Sequence, residues 1–194
     1  MFLKSRFTAS LKCFTLLGAV LFLCQACQPP AAPPKLIQKI TESEVIAIQK
    51  AWGIGLIGIG VAYESGDDYG AAATNFIEKF YGYDIGKVLF KPTLATEKQF
   101  RTTLEGALSY FVGGNESYPE DKGFALKRWK DVHWENAGII NSNSDLAIAM
   151  GNYYFTDEEG ERTKVEYTFC YRKDENGALK IVAHKSALPY NAED

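Results

Sequence analysis

The sequence predicts an α+β domain in which a long N-terminal helix and further helices pack on a curved antiparallel sheet. Apolar residues recur at helical spacing between about residues 42 and 111, whereas from Trp129 onwards they alternate with a period of two. The order of the two patterns along the chain is a further observation. Helices first and consecutive hairpin strands last favour α+β over an alternating α/β arrangement.

The first 27 residues have the pattern of an export signal. Three basic residues precede an apolar run, 14–23, that is too short to span a bilayer as a finished helix. A small residue, Ala26, directly precedes Cys27, which suits cleavage and lipid attachment to that thiol. We therefore expect a lipoprotein-type signal peptide at 1–27 and an exported, periplasmic protein that Cys27 anchors to a bacterial membrane. Simple secretion and an uncleaved anchor are the alternatives.

A Pro/Ala-rich tether is predicted at 28–40, and a single folded domain at 41–192. The roughly 155 residues after the tether are enough for one hydrophobic core but few for two. Without the leader the chain has 18 basic and 24 acidic side chains and no basic run. This balance argues against nucleic acid as a partner, and leaves the lipid as the only expected contact with a membrane.

Metal-binding side chains are scarce in the predicted domain. Of the four cysteines only Cys170 lies within it, and the two histidines are His133 and His184. They cannot supply the three-histidine set of a catalytic zinc site, and a Cys₂His set lacks a second cysteine. We therefore expect no zinc cofactor, and any other metal would need carboxylates or hydroxyls.

The first predicted helix covers about 42–64. Thr41 and Glu44 form a capping-box pattern, and apolar residues at helical spacing follow. Glycines in its second half match a dinucleotide-binding fingerprint, but that motif must follow a strand and open a helix. Close packing of a small-residue face on the sheet is the preferred interpretation.

Two more helices are predicted at 68–81 and 97–111, with a short strand at 88–91 between them. Four longer strands follow, separated by turn-forming runs of Asn, Asp, Ser and Gly. They are predicted at about 127–140, 145–156, 162–172 and 178–187.

The last strand contains the best reactive pair. Strict alternation would place Val182, His184 and Ser186 on one face, so that the imidazole and the hydroxyl face a pocket inside the curved sheet. A hydrogen-bonded core histidine beside a small serine is the competing interpretation. Nothing near His133 suggests a partner, and we expect it to be structural or exposed.

Two further polar residues are candidates. Thr93 follows Pro92 after the short strand, where its hydroxyl could reach the pocket mouth or form a local turn bond. Tyr110 ends the third helix, and a buried tyrosine needs a partner for its hydroxyl. The aromatic residues of the strands are interpreted as sheet packing.

Several segments closely resemble the iota-class carbonic anhydrases, and the likeness covers nearly all of residues 42–190. The segments are VLFKPT (88–93), ALSYFVGG (107–114), EDKGFALK (120–127), ENAGII (135–140), AMGNYYFT (149–156), VEYTF (165–169) and HKSALPY (184–190).

The resemblance implies a SnoaL-like, cystatin-type cone that catalyses the reversible hydration of carbon dioxide to bicarbonate. It implies four catalytic pocket residues, namely Thr93, Tyr110, His184 and Ser186. Some members are metal-free and others manganese-dependent. The shortage of histidine and cysteine favours the first type, with manganese as the alternative metal. Such folds often dimerise through the outer face of the sheet, so a homodimer is expected.

One departure concerns the end of the chain, where the family has His-His-Ser-Ser and this sequence has His184-Lys185-Ser186-Ala187. Alternation directs Lys185 and Ala187 away from the pocket, so the inward pair is retained. His184 could take the proton of the attacking water or serve as an anchor. The competing function is a non-catalytic module of the same fold that binds a small ligand or forms oligomers, since fold does not determine function.

Overall fold

The computed structural model describes residues 39–141 and 145–191. The predicted signal peptide, the lipidation site Cys27 and most of the tether lie outside these residues, as does the predicted domain end at residue 192. Within the described ranges the chain forms three α-helices and five strands.

Helix α1 spans Glu42–Ser65 and begins with the predicted capping box, in which Thr41 and Glu44 satisfy each other's backbone N–H groups. By length and composition it is the one described helix that could cross a membrane. Trp52, Leu56 and Ile59 are buried in the domain core along one side of it. The curved sheet therefore packs against α1, as the sequence predicted.

The glycines of α1 allow close contacts, which confirms the packing interpretation. A Cβ at Gly55 would lie 2.8 Å from the ring of Phe76, and one at Gly53 would lie 3.0 Å from Cβ of Val132. Side chains at these positions would separate α1 from its neighbours.

Helix α2 spans Tyr69–Phe80, strand β1 Leu89–Lys91 and helix α3 Leu104–Val112. The prediction of a helix over 97–111 is therefore wrong for its first seven residues. The Glu120 carboxylate accepts the backbone N–H groups of residues 96–98. These side-chain bonds replace those a helix would form, and α3 begins only after its cap at Thr103.

Four long strands follow, β2 Asp131–Ile140, β3 Leu146–Thr156, β4 Arg162–Lys173 and β5 Leu179–Ala187. They form the predicted antiparallel meander. The sheet order is β1-β5-β4-β3-β2, and β1 joins β5 in parallel. The sheet is thus mixed, and not antiparallel throughout: β2 runs opposite to β1, and the three reversals of the meander leave β5 parallel to β1.

The prediction that Val182 shares a face with His184 and Ser186 is wrong, because β5 contains a β-bulge. Tyr171 pairs with Ile181 and Cys170 pairs with Ala183, so Val182 is the extra residue. Ile181 is consequently buried in the core, whereas Val182 is partly exposed. His184 and Ser186 lie beyond the bulge and are both buried, as predicted, and Lys185 faces solvent.

Candidate active site

The parallel pairing of β1 with β5 brings together residues that are distant in sequence. Phe90 pairs with His184 and Lys91 with Lys185, so the chain leaving β1 passes beside Ser186. There the Thr93 hydroxyl donates a hydrogen bond of 2.9 Å to the Ser186 hydroxyl. Two of the predicted site residues are therefore in direct contact.

His184 lies in an aromatic environment and is only 3% exposed. Its ring is 3.9 Å from that of Phe169 and 4.6 Å from that of Phe90, measured between ring centroids. Burial lowers the pKa of His184 well below the ordinary value of 6.5, because no charged group compensates the lost hydration of the imidazolium. The imidazole is therefore neutral at physiological pH.

Both ring nitrogens of His184 have tyrosine partners. The Tyr81 hydroxyl lies 3.0 Å from Nδ1, and the Tyr153 hydroxyl lies 3.3 Å from Nε2. Neither nitrogen is free to contact substrate or a reacting water. This arrangement matches the competing interpretation of His184 as a satisfied core histidine.

The neighbouring tryptophan determines the direction of these bonds. An indole N–H can only donate, and Trp52 Nε1 donates to the Tyr81 oxygen at 3.2 Å. The buried Tyr81 hydroxyl then uses its own proton toward Nδ1 of His184. A neutral imidazole that accepts at Nδ1 carries its proton on Nε2, so His184 donates to Tyr153.

Tyr153 connects His184 to the hydroxyls at the end of the sheet. Burial raises the pKa of Tyr153, and the Ser186 and Thr93 side chains act in the opposite direction. Burial likewise raises the pKa of Tyr110, and the Leu94 backbone and the Thr93 side chain lower it. Thr93 thus lies near both tyrosines and donates its one hydroxyl proton to Ser186.

A cavity of about 610 Å³ opens beside this hydroxyl cluster. Thr93 and Tyr110 line it, together with aromatic and aliphatic residues of α1, β3, β4 and the 122–129 segment. His184 and Ser186 do not line it. Ser186 lies one hydrogen bond behind Thr93, and His184 lies behind Tyr153.

One wall of the cavity is held by a buried ion pair. Arg101 is fully buried and donates to Asp121 at 2.7 Å, and Ser109 donates to the other oxygen of that carboxylate at 2.6 Å. Glu120 also lines the cavity. Hydrogen bonds from the Thr96 side chain and the following backbone lower the pKa of Glu120 to about 2, so it stays ionised. Both carboxylates are thus engaged in shaping the wall.

No group of three His, Cys, Asp or Glu side chains within residues 39–141 and 145–191 is arranged to hold a metal ion. His133 is exposed on β2, with Nε2 3.6 Å from a carboxylate oxygen of Glu135. It lies away from the hydroxyl cluster, as expected from the sequence.

Sequence reasoning missed Trp52, Tyr81 and Tyr153. Tyr153 was interpreted as sheet packing, and Tyr81 ended a predicted helix. Tyr81 and His184 are 103 positions apart, and no local pattern indicates that their polar atoms meet. The one available signal was general, since a buried tyrosine or tryptophan needs a polar partner.

Comparison with known proteins gives a consistent result. A family model described as metal-independent carbonic anhydrase matches residues 43–188. A protein of Nostoc sp. (strain PCC 7120) described as a metal-independent carbonic anhydrase is 47% identical over 160 residues, which cover 81% of this chain and 78% of that protein.

Among solved structures, an iota-carbonic anhydrase from a cyanobacterium, complexed with bicarbonate, superimposes with a TM-score of 0.77 at 46% identity. The match covers 82% of this chain and 99% of that one. A calcium/calmodulin-dependent protein kinase II association domain from Xanthomonas campestris has a TM-score of 0.52 at 21% identity, with 77% and 88% covered. The second similarity shows the fold alone.

Proposed function

Because the chain belongs to the metal-independent carbonic anhydrase family, and is thus a carbonate dehydratase of the iota class, we propose that it hydrates carbon dioxide at the hydroxyl cluster of the cavity. Thr93 and Tyr110 line the cavity and orient the substrate and the attacking water, Ser186 holds the Thr93 hydroxyl from behind, and His184 positions Tyr153. The contact between Thr93 and Ser186, at the inner end of a largely apolar cavity, is the observation that carries this proposal.

The reaction requires an apolar place for carbon dioxide and donors for the oxygen on which charge develops. A water oxygen forms a bond to carbon, one C=O π pair moves to its oxygen, and a proton leaves to give bicarbonate. Tyr110 lines the cavity as a neutral phenol, so its hydroxyl can donate to a carbonate oxygen. Thr93 donates its one proton to Ser186, so its oxygen accepts from the attacking water and Ser186 holds it in that orientation.

His184 acts as a positioning residue in this proposal, and not as the base. Its two nitrogens are engaged by Tyr81 and Tyr153, and its pKa is lowered by burial. As an Nε2–H donor it holds the Tyr153 oxygen as an acceptor. His184 thereby fixes the orientation of the Tyr153 ring beside the Thr93 and Ser186 hydroxyls.

The proton of the attacking water goes to solvent. Each titratable group at the hydroxyl cluster stays neutral near pH 7, because burial raises the pKa of Tyr110 and Tyr153 and lowers that of His184. The cavity is open, so hydroxide and buffer can reach the cluster. The hydration rate should therefore rise with pH without an inflection near 6.5, where an accessible histidine base would titrate.

A stopped-flow hydration assay on chelator-treated protein tests the proposal. Activity should survive treatment, since the family is metal-independent. The sequence resemblance left a manganese requirement as the alternative, and that alternative predicts that chelation abolishes activity. Loss of activity on chelation with recovery on adding manganese would contradict the hydroxyl-only site.

The non-catalytic alternative has one supporting observation, the similarity to the kinase association domain. At 21% identity that similarity concerns the fold and not the activity. The hydroxyl cluster is also more polar than an oligomerisation module requires. We therefore retain hydration as the proposed activity.

We further propose that the protein works outside the cytoplasm, anchored through Cys27, and as a homodimer. The basic and apolar leader, the small residue before Cys27 and the Pro/Ala-rich segment occur in the order that an anchored lipoprotein requires. Ile140 and Met150 are exposed on neighbouring strands of the sheet, where cone folds of this type often dimerise.

A further inference from the structure

The cavity is much larger than the reaction at its inner end requires. Bicarbonate has four non-hydrogen atoms, whereas a volume of about 610 Å³ lies in the range of about 300–1,000 Å³ that accommodates drug-sized ligands. Most of the cavity therefore remains available when an anion occupies the hydroxyl cluster.

The outer part of the cavity is apolar and exposed. Tyr63, Leu94 and Leu188 line it and are 48%, 59% and 53% exposed, respectively. Leu94 directly follows Thr93, and Leu188 lies two residues after Ser186. The chain segments that supply the hydroxyls thus also supply the apolar rim, and the two parts form one continuous site.

The charges near the rim favour an anionic ligand. Lys122 and Lys127 line the cavity, and Lys127 pairs with Asp157 at 3.1 Å. The acidic lining residues are already engaged, Asp121 by Arg101 and Glu120 by Arg101 and backbone N–H groups. A ligand cation would thus meet no free carboxylate on this wall, whereas a ligand anion meets the Tyr110 hydroxyl and Lys122.

We propose that the cavity binds monocarboxylates with an unbranched alkyl chain, in competition with bicarbonate. The inference rests on the proposed function, since a carboxylate presents to Tyr110 the same kind of acceptor oxygen that bicarbonate does. The alkyl chain lies along Leu94 and Leu188 toward solvent. Carboxylates of this kind are reversible inhibitors of the hydration reaction.

The first test is calorimetric titration of the full chain with acetate, butyrate, hexanoate and octanoate. Burial of a methylene group strengthens binding by up to about fourfold, so we expect Kd to fall about two- to fourfold per added methylene up to hexanoate. Bicarbonate should compete with each carboxylate. Hexanol, which has the chain without the anion, should bind at least about tenfold more weakly than hexanoate.

Two variants separate the ends of the site. Tyr110→Phe should weaken acetate and hexanoate by a similar factor of about tenfold, because it removes a donor to the carboxylate. Leu188→Ser should leave the Kd of acetate within about twofold of the wild-type value. It should roughly halve the gain in binding free energy per added methylene, since it removes apolar surface along the alkyl chain.

Ile46→Ser is the matched control. Ile46 is 50% exposed, as Leu188 nearly is, but it lies on α1 about 25 Å along the helix axis from Tyr63. The Ile46→Ser variant should bind each carboxylate of the series with the wild-type Kd.

A Kd that does not vary with chain length would overturn the proposal, as would a series that bicarbonate does not displace. These outcomes are independent of turnover. If the protein binds the series as expected but hydrates no carbon dioxide, the proposed function fails while the carboxylate site stands. If the protein hydrates carbon dioxide but the Kd of the carboxylates does not depend on chain length, the carboxylate site fails while the proposed function stands.

Discussion

The environment of His184 determines what this residue can contribute to the reaction. Burial among Phe90, Phe169 and two tyrosines lowers its pKa, and both nitrogens are used within the protein. A histidine next to a substrate site is often assigned as a base from sequence alone. Here the tyrosine partners of both ring nitrogens support the proposal that His184 positions other groups.

The lowered pKa of His184 predicts a loss of stability in weak acid. The unfolded chain takes up a proton near pH 6.5 that the folded protein does not, so stability is complete above that pH and declines as pH falls below it. NMR of ring-labelled protein should show one histidine in the Nε2–H tautomer that does not titrate between pH 7.5 and 5.5. Titration of the His184 ring in this interval would contradict the neutral, buried assignment.

Ser186→Ala is expected to reduce hydration at least about tenfold, because the Thr93 hydroxyl loses the hydrogen bond that orients it. The fold should persist, because Thr93 lines the cavity and its hydroxyl can donate to water there. Stopped-flow rates and melting temperatures distinguish the two effects.

Lys185→Ala is the control for Ser186→Ala, since Lys185 is exposed on the opposite face of β5. It should retain nearly full activity. Equal rates in the two variants would remove Ser186 from the site.

At the scale of elements, α1 shows how a helix can be rich in glycine and still be correctly predicted. The capping box and the apolar period determine its limits, and the glycines then decide how closely its neighbours approach. Packing accounts for Gly53 and Gly55 of the dinucleotide-like pattern, whereas Gly58 has open space around it.

Two glycines of α1 should respond to substitution in opposite directions. Gly55→Ala brings a Cβ to 2.8 Å from the buried Phe76 ring, and should destabilise the protein by about 1–3 kcal/mol. Gly58 has open space around it, so Gly58→Ala should stabilise by about 0.5–1 kcal/mol through helix propensity. Urea unfolding measures both, and the same sign of change in both variants would refute this description of the helix.

The segment before α3 shows the limit of pattern reading. Residues 97–103 carry a helical pattern, yet Glu120 binds their first backbone N–H groups and Arg101 N–H donates to the Phe90 carbonyl. A carboxylate about twenty positions away overrides a local preference that is weak in any case. Phe100, which lies in this segment, is exposed.

At the scale of the whole molecule, anchoring through Cys27 is tested by metabolic labelling with a palmitate analogue. Wild-type protein should be labelled and sediment with membranes, whereas Cys27→Ala should not be labelled. Soluble release of both proteins would show that the leader directs simple secretion.

The predicted homodimer is tested by light scattering, which measures the molar mass of the folded domain in solution.

The sequence by itself determined the family, the exclusion of a three-histidine zinc site, the order of helices and strands, and the inward direction of His184 and Ser186. These follow from composition, from long runs of matching segments and from local periodicity, which need no knowledge of distant contacts. Only the tertiary structure decided that Val182 is a bulge, that Thr93 stands between Ser186 and the cavity, and that Trp52 and Tyr81 set the proton of His184. The physical reason is that hydrogen-bond direction and burial depend on side chains from α1, α2, β1, β3 and β5 meeting at one point, and residues 29 to 103 positions apart carry no mutual signal in a single sequence.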